Sequence, residues 1–274
     1  MRALFTSFAA VGHLHPLIPL AAPARPRWAQ EGSLATLQAI WDRRAPGRAA
    51  RRVGEVYLDA CPGPFQTDDI EPIAGTAQVV HVRPGLFDGP PEPPAPFLSQ
   101  LAAPAAYVTL GTVPQFSTPS ILRAVALAVA DAVTSVVVTS GPNSPESLGP
   151  LPAHVHVERY LPQSAVLPNV DLFVSHGGAG GTVAALVHGL PHLVLAGAGM
   201  SQRTNAAAVE RAGVGISLPV ERRSDDDVRD VAARLLTDPA YAGEAGRIGM
   251  GFAALPGPAD VVRLVEERAG LQST

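Results

Sequence analysis

The chain has 274 residues, of which 47% are hydrophobic, so one large domain or two smaller ones can each bury a core. A formal net charge of -4 argues against nucleic acid and anionic membrane surfaces as partners. Cys61 is the single cysteine, so no disulfide can form within the chain, and a reducing, cytoplasmic location is expected. No segment is long and apolar enough to predict stable membrane insertion.

The N-terminal region gives few structural signals. Residues 4–8 predict a short buried strand, and a helix is expected to begin near Pro16, because proline is favoured at the first helical position. Further along, prolines at 90, 91, 93, 94 and 96 predict a semi-rigid extended segment. We therefore divide the chain into an N-terminal lobe (1–88), a proline-rich linker (89–96) and a second domain (97–274).

The second domain shows a regular alternation of predicted elements. Strands are predicted at 106–110, 135–139, 155–157, 172–174, 192–195 and 214–218. Helices are predicted at 120–133, 182–188 and 202–212, and again from residue 224 to the end. Alternating strands and helices with short connections predict an α/β fold with a doubly wound parallel sheet. Ligands of such sheets bind at the carboxyl ends of the strands.

One segment carries the clearest chemical signal. Residues 175–182 read Ser-His-Gly-Gly-Ala-Gly-Gly-Thr, follow a predicted strand and open a predicted helix. Glycines let the backbone approach a ligand closely, and a helix N-terminus offers free N–H groups to a diphosphate. His176 can donate a hydrogen bond to a phosphate oxygen, and Thr182 can add its hydroxyl or cap the helix. A tight glycine turn without a ligand explains the glycines alone equally well.

Several motifs in order resemble the GT-B family-1 glycosyltransferases, in particular the bacterial enzymes that decorate polyketides and other antibiotics. The resemblance rests on the segment 176–182, followed by Ala-Ala-Leu at 184–186, Gly-Leu-Pro at 189–191 and Asn-Ala at 205–206. Upstream, residues 107–112 resemble the family's first C-domain strand and phosphate-side loop, and residues 161–163 resemble the segment beside the nucleotide base. The resemblance implies a Rossmann-like GT-B C-terminal domain preceded by a truncated N-terminal α/β lobe.

The resemblance also implies a set of site residues. The donor diphosphate would be bound by Thr112, His176, Gly178, Gly180, Gly181 and Thr182, with the N–H groups of residues 180–182 contributing. The base side would be Leu161 and Gln163, and the sugar would meet Ser201 and Gln202. His13 would be the general base, since the pKa of an imidazole lies near neutrality. No metal or cofactor is implied; the donor substrate would be a dTDP- or UDP-linked sugar, and the acceptor a small lipophilic aglycone.

The sequence departs from the family in three places. Residues 1–88 are too short to supply the usual acceptor pocket and the carboxylate that orients His13. Ser201 stands where the family usually has aspartate, so the sugar loses a charge-assisted acceptor and sugar specificity should change. Ala184 stands where plant relatives place a ribose-binding glutamate, which fits a thymidine-type donor and a loss of nucleotide affinity equally well.

Three functions stay open on these grounds. The chain could be an inverting glycosyltransferase that transfers a sugar, in particular a deoxysugar, from a nucleoside diphosphate to a natural product. It could instead be a non-catalytic nucleotide-sugar-binding remnant or helper protein. A related GT-B sugar-nucleotide epimerase comes third, since the sequence offers no candidate acid-base carboxylates. A short N-terminal lobe would expose apolar surface, so a second copy or a helper chain is an expected partner.

Overall fold

The structure is a computed structural model that describes residues 56–59, 78–85, 93–112, 117–197, 199–219 and 223–268. The strand predicted at 4–8, the helix predicted near Pro16 and the candidate base His13 lie outside these residues. The same holds for the first part of the predicted linker, 89–92.

Two parallel sheets are present in this part of the chain. Strands β1 (Val56–Asp59) and β2 (Gln78–His81) form a two-stranded sheet. The larger sheet has six strands, β3 (Ala105–Thr109), β4 (Ser135–Thr139), β5 (Val155–Glu158), β6 (Leu172–Ser175), β7 (His192–Val194) and β8 (Gly215–Ser217). Their order across the sheet is β5-β4-β3-β6-β7-β8, and every neighbouring pair is parallel.

The central strands are buried along their whole length because helices cover both faces of the sheet. In β3 every residue is buried, and alternate side chains point to opposite faces. Ala106 and Val108 pack in one hydrophobic cluster, whereas Ala105 and Tyr107 pack in another. The sequence pattern of these strands is therefore a continuous apolar run rather than an alternation.

Seven α-helices are described, and five of them cover the two faces of the sheet. They are α1 (Pro119–Ala130), α2 (Gln163–Val166), α3 (Ala179–Val187), α4 (Met200–Arg211), α5 (Asp225–Thr237), α6 (Pro239–Ala253) and α7 (Pro258–Arg268). Helices α1 and α5 pack against one face of the sheet. Helices α3, α4 and α6 contribute the buried side chains of the opposite face. No helix in the described ranges is long and apolar enough to cross a membrane.

The strand order confirms the predicted α/β, doubly wound fold. Counted from β3 along the chain, the sheet has the order 3-2-1-4-5-6, in which the direction of winding reverses between β3 and β6. The loops that follow these two strands meet at this switch point, where such folds bind their ligands. A ligand-binding site is therefore expected at the carboxyl ends of β3 and β6.

Two helices begin earlier than predicted. Helix α3 begins at Ala179 rather than at residue 182, and α4 begins at Met200 rather than at residue 202. The glycines of 177–181 favour a loop by propensity, yet residues of the first turn need no intrahelical N–H partner, so Gly180 and Gly181 are tolerated there. This shift moves the helix N-terminus onto the glycine-rich segment itself.

Candidate functional site

His176 lies at the switch point with its imidazole ring between two glycines. A β-carbon built on Gly111, which follows β3, would lie 2.6 Å from Cε1 of His176. A β-carbon built on Gly178 would lie 2.7 Å from Nε2 of the same ring. Gly111 also has a φ of +78°, which L side chains rarely adopt. Both glycines are thus required for the position of the ring, and Gly111 was not among the predicted site residues.

The loop after β6 is held by hydrogen bonds to both peptide groups of Gly177. Its N–H donates to Oγ of Ser175 over 3.0 Å. Its carbonyl oxygen accepts a hydrogen bond from Nδ2 of Asn205 over 2.8 Å. Gly177 has a φ of +81°, and a β-carbon there would lie 2.8 Å from Cγ1 of Val194. These contacts fix the direction of the chain as it enters α3, and they give Asn205 a positioning role that its motif did not reveal.

A second histidine lies beneath this loop. His192 is 1% exposed, its Nε2 lies 2.8 Å from Oγ of Ser175, and its ring lies 4.9 Å from that of Phe173. Burial, together with the proximity of His176, lowers the pKa of His192 to about 3. Burial also lowers the pKa of His176. Both imidazoles are therefore uncharged at neutral pH, so His176 acts toward an anion as a neutral hydrogen-bond donor.

The first turn of α3 provides backbone donors beside His176. Gly178 precedes the helix, and among the described residues no side chain caps it. The N–H of Thr182 donates to the carbonyl of Gly178, so the N–H groups of Ala179, Gly180 and Gly181 are the ones that a helix start leaves for a ligand. A β-carbon on Gly180 would meet nothing within 4 Å, so a ligand can approach its backbone.

Thr182 does not have the role expected of a cap. It is the fourth residue of α3, so its N–H is used within the helix. Its hydroxyl is buried and has no hydrogen-bond partner in the described part of the chain. The N–H groups of Gly180 and Gly181 lie in the first turn because the helix begins three residues earlier than predicted, so both remain candidate donors to a diphosphate.

A cavity of about 400 Å³ lies at the carboxyl ends of β3, β4 and β5. Its lining residues lie at the ends of these strands or just after them and are Thr112, Gly141, Pro142, Glu158, Arg159 and Tyr160. Thr112 comes directly after Gly111, so the cavity adjoins the imidazole ring of His176. Tyr160 is 59% exposed, which offers an aromatic ring to a flat ligand.

The two residues predicted for the base side differ in their positions. Leu161 is 8% exposed and packs in the hydrophobic cluster that contains Phe173, so its side chain is part of the core and is not available to a base. The exposed ring is that of the preceding residue, Tyr160. Gln163 begins α2, and its Nε2 lies 3.7 Å from where a β-carbon of Gly181 would be, so it lies beside the first turn of α3.

The residues predicted for the sugar lie in the first turn of α4, after β7. Ser201 is exposed, whereas Gln202 is 4% exposed. A β-carbon on Gly177 would lie 3.1 Å from the carbonyl oxygen of Gln202, so this turn adjoins the loop that holds His176. The predicted donor residues Thr112, His176, Gly178, Gly180, Gly181, Ser201 and Gln202 thus share one edge of the sheet.

A doubly wound parallel sheet with a glycine-rich helix start at its switch point defines a Rossmann-like domain. The profile of the family described as "Erythromycin biosynthesis protein CIII-like, C-terminal domain" matches residues 123–268. The chain belongs to this family, which confirms the resemblance to antibiotic glycosyltransferases that was inferred from its motifs.

Curated relatives and solved structures agree with this assignment. The chain is 38% identical over 194 residues to 4'-demethylrebeccamycin synthase of Lentzea aerocolonigenes, which covers 69% of this chain and 45% of the relative. It superimposes on the spinosyn rhamnosyltransferase SpnG with a TM-score of 0.72 and 25% identity, over 87% of this chain and 63% of the other. The glycosyltransferase VinC, solved in complex with dTDP, matches with a TM-score of 0.63 and 26% identity, over 76% of this chain and 51% of VinC. The chain spans about half the length, or less, of the curated relatives that it matches.

Proposed function

We propose that this chain binds a nucleoside-diphosphate sugar at the carboxyl edge of its large sheet and transfers the sugar to a hydroxyl of a small lipophilic natural product. The observation that carries the proposal is the position of the His176 ring, which lies between Gly111 and Gly178 and beside the N–H groups that begin α3. A neutral donor next to a helix N-terminus suits a diphosphate. The similarity to VinC, which was solved with dTDP, supports a thymidine or uridine diphosphate donor.

The order of the strands fits the linear order of such a donor. The nucleoside would occupy the cavity at the ends of β3 to β5, with its base against the exposed ring of Tyr160. The diphosphate would lie over the boundary between β3 and β6, where Thr112 and His176 are found. The sugar would then lie beyond the diphosphate, over the end of β7, where Ser201 and Gln202 begin α4.

The transfer step would be an in-line displacement with inversion. The acceptor oxygen forms a bond to the anomeric carbon while the bond from that carbon to the diphosphate oxygen breaks. His13 would take the acceptor proton as general base. The negative charge that develops on the leaving diphosphate is stabilised by the hydrogen bond from His176 and by the N–H groups at the start of α3. These donors supply the electrostatic stabilisation that a metal ion gives in other sites.

A second candidate is nucleotide-sugar binding without transfer, as a helper or remnant. It requires only the donor side of the proposed reaction, to which the described site residues belong. Both candidates share the donor, and both suit a cytoplasmic location in which nucleotide sugars are made. They differ in the role of His13 and in the need for an aglycone acceptor, which a second copy or a helper chain could help to bind.

The two candidates are separated by one titration and one turnover assay. The full chain is titrated with dTDP and with UDP, and release of nucleoside diphosphate from a dTDP-sugar is then followed with and without a lipophilic aglycone. Turnover that is abolished by His13→Ala and retained by His15→Ala, a neighbouring imidazole, supports transfer. Binding without turnover, unchanged by His13→Ala, supports the helper function. A chain that binds neither nucleotide contradicts both.

A further inference from the structure

The first turn of α4 contains a buried polar side chain whose carboxamide oxygen has no hydrogen-bond partner among the described residues. Gly199 precedes the helix, and within the described residues no side chain caps it. Residues 200–203 read Met-Ser-Gln-Arg, so the turn carries no carboxylate. Ser201 is exposed at this end, and its hydroxyl is uncharged.

Gln202 supplies a second observation at the same place. Its side chain is 4% exposed, and its Oε1 has no hydrogen-bond partner among the described residues. The carboxamide lies against the residue before the helix, since a β-carbon on Gly199 would be 3.2 Å from Cδ and 3.4 Å from Oε1 of Gln202. A buried carboxamide oxygen without a partner is costly, and a ligand hydroxyl that donates to it would relieve that cost.

The charged groups around this turn are mainly positive. Arg203 is exposed on the helix, and Arg223 donates to the carbonyl of Ala196, three residues before Gly199. The helix dipole adds partial positive charge at the same end. Of the carboxylates on neighbouring elements, Glu210 lies near the other end of α4, where it accepts from the N–H of Ser217.

Three further described carboxylates begin α5, the helix that follows β8 and packs on the opposite face of the sheet. Asp226 forms an ion pair with Arg229 over 2.8 Å, and Asp227 accepts a hydrogen bond from the hydroxyl of Ser224 over 2.7 Å. Asp225 is exposed at the same helix start. None of the three belongs to the turn that follows Gly199.

We propose that the α4 turn selects donors whose sugar is uncharged and discriminates against sugars that carry a protonated amine. This inference rests on the proposed function, which places the sugar over the end of β7. A sugar hydroxyl can donate to Oε1 of Gln202 and accept from the hydroxyl of Ser201 or from the N–H groups of the turn. The described residues of this turn offer no carboxylate to an ammonium group, which the helix dipole and the arginines would oppose. Ser201, at the position where the resemblance places an aspartate, is therefore the residue that sets this preference.

The test uses pairs of dTDP-sugars that differ only in an amine or a hydroxyl, at C3 in one pair and at C4 in the other. Dissociation constants are measured by calorimetry at neutral pH, with dTDP alone as reference. For at least one pair we expect the amino sugar to bind about three- to fivefold more weakly than its hydroxyl counterpart, which is the size of a helix-dipole effect. Ser201→Asp should reverse this order by improving amino-sugar binding about tenfold, through a charge-assisted hydrogen bond.

The matched control is Ala207→Asp, which adds the same charge on an exposed position of the same helix, about 9 Å further along its axis. It should leave the ratio of the two affinities close to that of the original chain. Equal affinities within both pairs in the original chain, with dTDP still binding, would overturn this inference and leave the proposed function standing. The absence of dTDP binding would overturn both. If Ser201→Asp fails to fold, as judged by circular dichroism, the two pairs on the original chain still decide the question.

Discussion

The buried His192 should make the protein sensitive to mild acid. Its pKa is about 3 in the folded chain because of burial and the nearby His176, against about 6.5 in an unfolded chain. Between these values the unfolded chain binds more protons than the folded one, so folding stability falls as the pH drops below about 6.5. The linkage relation gives a loss of about 2 kcal/mol in the free energy of unfolding between pH 7.5 and pH 5.

Urea denaturation at these two pH values measures the loss. With a slope of about 2 kcal/mol per molar urea, the transition midpoint should fall by about 1 M between pH 7.5 and pH 5. The critical comparison is His192→Gln, whose drop in stability between the same pH values should be smaller by about 2 kcal/mol, because the titrating group has gone. The exposed His81→Gln serves as control and should retain the original drop. An equal drop in the original chain and in His192→Gln would refute the reasoning.

Three further predictions concern His176 and the residues that position it. Gly111→Ala should weaken dTDP binding about tenfold, as measured by calorimetry, because the new methyl group displaces the imidazole of His176. The control is Gly149→Ala, where the glycine has a similar φ of +68° but no aromatic ring close to it. This variant should melt at a lower temperature but keep its affinity for dTDP. Asn205→Ala should lower the free energy of unfolding by about 1–3 kcal/mol, because the carbonyl of Gly177 loses its hydrogen-bond donor. The same variant should bind dTDP more weakly. Unchanged dTDP binding would show that Asn205 does not position the loop for the ligand. Affinity for dTDP-glucose should rise as the pH falls from 7.5 to 5.5, because a bound diphosphate favours protonation of His176, and His176→Gln should abolish that rise.

The strands of the large sheet could be predicted from sequence because burial on both faces makes them continuous apolar runs. The predicted strand at 135–139 has the observed bounds, and each predicted bound of the others differs from the observed one by at most one residue. The start of α3 could not be predicted in the same way. Its glycines favour a loop by intrinsic propensity, and their place in the first turn depends on the loop contacts of Ser175 and Asn205.

Other features of the site depend on which strands are neighbours. The contact between Ser175 and His192 arises because β6 and β7 pair with Phe173 opposite His192. That register cannot be predicted from the sequence of either strand alone. Gly111 meets His176 because β3 and β6 are adjacent, although they are separated by more than sixty residues of chain. Leu161 was assigned to the base side by its motif, but its apolar side chain turns into the core.

The central claim is that the donor diphosphate binds at the start of α3, beside His176. The most direct measurement is a titration of the isotopically labelled chain with dTDP, followed by the amide resonances of Gly178, Gly180 and Gly181. We expect large, saturable shifts of these amides, with those of Leu186 and Val187 at the far end of the same helix nearly unmoved. Saturating dTDP that leaves the three glycine amides unchanged would contradict it.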